Sequence, residues 1–328
     1  IICKYPPTKE EDPNWTPEDA RYSVIRYYAS DIQNAYGPHT ADPRTGEILE
    51  SDIGWYHNIM NLLRNWYLIQ TSAVNEDSRD VKFEDEVMGE LMRFVSAHEV
   101  GHTIGLQHNM GSSSAYPVDS LRSPTFTSTR GVAPSIMDYT RFNYVAQPGD
   151  NVSNFYPMIG KYDIWAVKWG YTYFDGESTI SEQKILNDWI KGHAGDYEYW
   201  FGYSNGIDPR SQTESIGDDN MKASLYGLKN LKRIMPNLLK WSYDEGKNYD
   251  DLKELYLNIY SQFRRYIGHV STNVGGIFED LKSNDQAGSV YVHVSKDQQK
   301  SAVDFLNTHV FGSLDWLVDN NILDKIEN

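Results

Sequence analysis

Residues 98–109, HEVGHTIGLQHN, hold three histidines, a glutamate and two glycines within twelve positions. His98 and His102 stand four apart, so on a helix they stack on one face within reach of a single metal ion. Glu99 follows the first of them, where its carboxylate can face an open coordination position. A carboxylate placed there takes a proton from metal-activated water and passes it to a leaving amine. A third ligand must come from outside the helix to complete a tetrahedron whose fourth place is kept for water. Gly105 lets the chain turn and bring His108 back to the same ion. A helix end whose histidines only satisfy local hydrogen bonds is the competing reading of the HExxH segment alone. Gly105 and His108 at fixed offsets make coincidence roughly a thousandfold rarer at ordinary residue frequencies.

A helix over about 84–104 must carry these groups, since Val87, Leu91, Phe94, Val95, His98 and His102 fall largely on one side. Gly105 is a natural stop. Upstream, Ile59, Leu62, Leu63, Trp66 and Ile69 recur at helical spacing and predict a helix over about 54–71. RYSVIRYYAS, 21–30, predicts a strand, and DPRTGEIL, 42–49, a turn at Asp42, Pro43 and Gly46 feeding a short strand over 47–49. Residues 111–134 are dominated by Ser, Thr, Pro and Gly, which predicts an irregular surface segment directly after the histidines. Farther on, a short helix is expected over about 160–170 and a boundary at Asp175 and Gly176. A helical run over 218–241 opens near Asp218 and Asp219 and is broken by Pro236. Leu252, Leu255, Ile259, Phe263 and Ile267 predict another helix, and SVYVHVS, 289–295, a strand.

HEVGHTIGLQH, with His98, Glu99, His102, Gly105 and His108 in place, resembles the metzincin clan of zinc metalloproteases, whose pattern ends in a methionine-containing turn. SIMDY, 135–139, has the form of that turn. The resemblance implies an α+β fold: a metzincin-like zincin catalytic domain, with a mixed twisted sheet and an active-site helix. It implies Zn2+ held by His98, His102 and His108, with Glu99 as general base. Met137 would be the apolar floor beneath the ligands. Tyr139 stands at the offset where a tyrosine of the astacin and serralysin branches binds zinc or stabilises the oxyanion. Asp163, early in the helix after the turn, would hydrogen-bond the turn's backbone. DPRTGEIL and the following GWYHNIMNLL are similar to a segment of bacterial, chiefly Bacteroidetes-type, zinc-dependent metzincins with uncharacterised flanking domains. By that analogy Gly46, Glu47, Ile48 and Leu49 contribute a sheet edge on which an extended peptide pairs. Specific motifs cover about residues 20–172. The likeness over 176–328 is general and transfers no chemistry. Metzincins usually place a helix and several strands before the edge strand, whereas little precedes Arg21 here, so the strand count is not fixed.

The expected organisation is a lead-in segment over 1–20, a catalytic domain over 21–175 and a mainly α-helical C-terminal subdomain over 176–328 with no assigned role. A chain of 328 residues with 40% hydrophobic and 13% aromatic content can bury a large core. Its formal charge of −16 excludes a nucleic-acid surface, which needs clustered Lys and Arg. The single cysteine, Cys3, excludes an internal disulfide and a Cys-based zinc site. No run approaches the roughly 18 apolar residues of a membrane span. The chain begins at Ile1, as expected of an excised piece, and the resemblance implies an extracellular, periplasmic or cell-surface station. His39, His57, His193, His269, His293 and His309 lack ligand spacing and are expected in structural or surface roles. The function expected is a zinc-dependent endopeptidase acting on a peptide or protein substrate. The alternative is a non-catalytic zinc-containing surface binding module. Glu99 counts against it, because a structural site needs a fourth ligand and no general base.

Overall fold

The computed structural model describes residues 2–204 and 206–326. Five short strands come first: β1 (Ile25–Tyr28), β2 (Ala35–Tyr36), β3 (Thr40–Ala41), β4 (Ile48–Glu50) and β5 (Ile53–Tyr56). β5 is central in a mixed three-stranded sheet, parallel to β1 and antiparallel to β2. β3 and β4 form a separate antiparallel hairpin. Gly46 closes its turn at φ +77°, donating its N–H to Asp42 O at 2.8 Å.

The helix expected from residue 54 begins later, as α1 (Ile59–Thr71), and residues 54–56 belong to β5 instead. Ile53, Gly54 and Trp55 are all buried. A short run buried on both faces has no alternation, so its period cannot separate it from a helix's first turn.

α2 (Asp85–Thr103) carries the histidine motif. After it come α3 (Pro124–Arg130), α4 (Lys161–Tyr171), α5 (Thr179–Gly192), α6 (Asn220–Ile234), α7 (Leu238–Trp241), α8 (Asp250–Ser271), β6 (Ile277–Glu279), β7 (Tyr291–His293), α9 (Lys296–His309) and α10 (Asn320–Ile326). β6 and β7 pair as an antiparallel hairpin. Asp219 caps α6 by accepting the N–H of Lys222, and Pro236 falls in the 3-10 turn that ends it. The whole is α+β.

Residues 111–134 depart from the irregular surface segment expected. They hold α3 and two 3-10 turns, and Val118, Leu121 and Val132 lie in the core. Several of their small polar side chains are satisfied internally: Ser113 Oγ donates to Ser215 O at 2.7 Å, and Ser123 Oγ caps α3. Hydroxyls paired in this way can be buried, so composition misstated their exposure.

α1 stands between two clusters of buried side chains. Ile59, Leu63 and Tyr67 pack with Leu91, Phe94 and Val95 of α2 and with Ile136, Met137 and Phe142. Leu68 and Ile69 join the second cluster, with Leu228 and Leu231 of α6 and Leu255, Ile259 and Phe263 of α8. Among the described residues no helix is long and apolar enough to cross a membrane.

Candidate metal centre

α2 begins with Asp85 and Glu86, whose charges favour the helix N-terminus. Leu91, Phe94 and Val95 bury one face, and the same stripe carries His98 and Glu99 into buried positions. Gly101 faces the methionine turn, where a Cβ would collide with Met137 Sδ. Met137 is wholly buried against the site helix.

The helix ends at Thr103, and Gly105 takes φ +91°, a left-handed conformation suited to glycine. Leu106 N–H then bonds back to Gly101 O at 3.0 Å, and Leu106 O bonds His102 Nδ1 at 2.9 Å. The reversal delivers His108: its Nε2 lies 3.0 Å from His102 Nε2 and 3.2 Å from His98 Nε2. Asn109 N–H donates to Met137 O at 3.1 Å, joining the histidine segment to the methionine turn.

α4 fixes that turn through Asp163. Its Oδ2 accepts the N–H groups of Gly160 and Ile136, each at 2.8 Å, and its Oδ1 accepts the Ser135 hydroxyl at 2.6 Å. Ile136 O in turn bonds His98 Nδ1 at 2.8 Å. A carboxylate on one helix thereby orients an imidazole on another through a single residue, Ile136.

The donor set fits zinc. Nitrogens about 2.0–2.1 Å from one tetrahedral ion stand roughly 3.3 Å apart, close to the separations seen here. Backbone carbonyls at Nδ1 of His98 and His102 hold the proton there and leave Nε2 with a free lone pair. Burial pulls His98 down to about 3 and His108 to about 4, and lowers His102, so all three are neutral ligands at pH 7. Among the described residues this is the cluster of His, Cys, Asp and Glu able to hold a metal ion.

A family model for Met-zincins matches residues 80–328. The chain belongs to the Met-zincin family. Zinc is therefore the ion to which the triad belongs, and a metallopeptidase type of activity comes with the family. No curated protein and no solved structure matches the chain.

In this Met-zincin Glu99 shares a cavity with His98 and Tyr139. Burial alone pushes its carboxyl up to about 7. The Tyr139 ring stands 4.4 Å from that of His108 and 5.1 Å from that of His98, centroid to centroid. Gly46–Leu49 is not among the residues lining the cavity. The hairpin does reach the turn after α2, since Ile48 Cδ1 lies 3.6 Å from where a Cβ on Gly105 would stand. His39, expected to be structural, bonds His102 O through Nδ1 at 3.1 Å.

Sequence reading missed several groups. Gly101 occupied a free position of the motif, although a residue without a side chain opposite a buried methionine is a usable signal. Gly37 also escaped notice; a Cβ there would stand 2.6 Å from Glu99 O. Arg141, two residues after Tyr139, carried no signal, because its partners Trp66 and Glu214 are distant in the chain.

Proposed function

We propose that this Met-zincin is a zinc-dependent endopeptidase in which Glu99 is the general base and then the general acid. The observation that carries the reading is the buried Glu99 carboxyl in one cavity with a ligand histidine and Tyr139. His98, His102 and His108 would hold the zinc, which when bound would supply Lewis-acid polarisation of the scissile carbonyl and a water made nucleophilic at neutral pH. Glu99 takes the proton from the attacking water onto its carboxylate, for which desolvation raises its basicity, and delivers it to the leaving amine. Tyr139 directs its phenol, kept protonated by burial, at the oxyanion that forms as the carbonyl is attacked. Met137, filling the space that Gly101 leaves, keeps the floor apolar and the ligands in register.

The β3–β4 hairpin supports action within a chain. Among the described residues β4 pairs only with β3, so its other edge is available to an extended peptide beside the turn at Gly105. An extracellular, periplasmic or cell-surface station belongs to the same proposal and is checked by fractionation of the producing cells.

Glu99→Ala is expected to retain stoichiometric zinc while peptide hydrolysis falls by about a thousandfold or more. Undiminished cleavage by that variant contradicts the assigned mechanism.

A further inference from the structure

Arg141 sits where the chain leaves the methionine turn, in a left-handed conformation at φ +57°. A non-glycine residue holds that conformation only when its surroundings impose it. Here Tyr139 O accepts the N–H of Glu214 at 2.7 Å, which fastens the turn to a segment of the C-terminal half. The guanidinium lies 3.6 Å from the Trp66 ring centroid and 4.4 Å from that of Tyr139.

The side chain is 15% exposed, yet its charge is poorly matched. Nε reaches Glu214 Oε1 only at 3.5 Å, and the two terminal nitrogens have no hydrogen-bond partner among the described residues. Glu214 is also claimed elsewhere: its Oε2 takes Arg265 Nε at 3.2 Å and Gln70 Nε2 at 3.4 Å. Two guanidiniums thus share one carboxylate. Asp138, a second carboxyl within electrostatic reach, is pushed up to about 7 by burial and is engaged with Ser113 N–H at 2.7 Å. Glu99, which lines the same cavity as Arg141, makes no ion pair with it. A cation only partly compensated by Glu214 is left beside the metal centre.

Arg141 lines the cavity that holds His98, Glu99 and Tyr139. The cavity has a volume of about 70 Å³, and its other walls include Ile59, Leu62 and Phe94. Asn34 and Glu99 also line it, and the apolar walls with one incompletely paired guanidinium suit a short methylene stem that ends in a carboxylate. Arginine presents paired N–H donors in a planar fork that fits a carboxylate's two oxygens.

We propose that Arg141 is the specificity residue of this cavity and that it binds a substrate carboxylate next to the scissile bond. The carboxylate is either a Glu or Asp side chain or the peptide's own C-terminus. The assignment rests on the peptidase reading, and its test separates the two. Amidated peptides, in which a single Glu or Gln is walked along a neutral sequence, are titrated onto zinc-loaded Glu99→Gln protein, with Arg141 intact or replaced in Arg141→Met. At one position the Glu peptide is expected to bind at least about tenfold more tightly than its Gln counterpart. In Arg141→Met that ratio falls to about one. The ratio within each protein cancels any general loss of affinity, and absence of the preference in the Arg141-intact protein overturns the proposal even where Arg141→Met fails to fold. A neutral peptide with a free C-terminus, compared with its amide, identifies the second source. If the intact protein favours neither carboxylate, the proposal is overturned. Hydrolysis of the same peptides by the wild-type protein is read separately. Preferential binding without any cleavage keeps the carboxylate site and overturns the peptidase reading, whereas cleavage without preference does the reverse.

Discussion

Gly101 has no side chain because Met137 fills the space that one would occupy. Gly101→Ala is expected to cost about 1–3 kcal/mol through overpacking and to weaken zinc binding, since the shifted methionine lies against the ligand helix. Thermal melts with and without zinc check this, and an unchanged zinc increment in melting temperature contradicts it. The ligands were legible in the sequence because coordination to one ion dictates their offsets from one another. Gly101 and Arg141 were not, because what defines them is a partner brought close only by folding. For Arg141 that partner is Glu214, 73 residues away.

At the scale of elements, α2 was readable from end to end. Its apolar stripe is long and periodic, and a left-handed glycine follows it. β5 was not, since a four-residue strand at the centre of a sheet shows no alternation. Nor was the burial of residues 111–134, where the Ser113 hydroxyl finds its partner, Ser215 O, a hundred residues distant. The most consequential link between elements is Asp163, through which α4 grips the methionine turn and, behind it, His98. Asp163→Ala leaves the N–H groups of Ile136 and Gly160 and the Ser135 hydroxyl without their acceptor. Stability to denaturant should fall by about 3 kcal/mol or more, with a parallel loss of zinc affinity. Stability and zinc affinity both equal to wild type would mean that α4 does not position the site.

Across the whole molecule, the segments after residue 175 share a core with α1 and reach the metal centre through Glu214. Their dependence on pH is open to test at His269 of α8. This buried imidazole bonds Thr213 O through Nε2 at 2.9 Å and is pulled down to about 4 by burial. A histidine whose folded pKa lies below its unfolded value of about 6.5 leaves the unfolded chain holding more protons between those limits. Its contribution is therefore complete above about pH 6.5 and is lost as pH falls to about 4, on the order of 3 kcal/mol in all. In urea titrations of zinc-loaded protein, His269→Gln should show a smaller loss of stability between pH 7.5 and 5 than wild type. An equal loss removes His269 as its source. The role of the triad is tested most directly by mapping cleavage sites in a broad peptide library with wild-type protein. The mapping is run as purified, after chelation and after zinc is restored. Internal peptide bonds should be cut, cutting should stop on chelation, and it should resume with zinc. Protein that carries one zinc and cuts nothing in the library would contradict the account and favour a zinc-containing binding module.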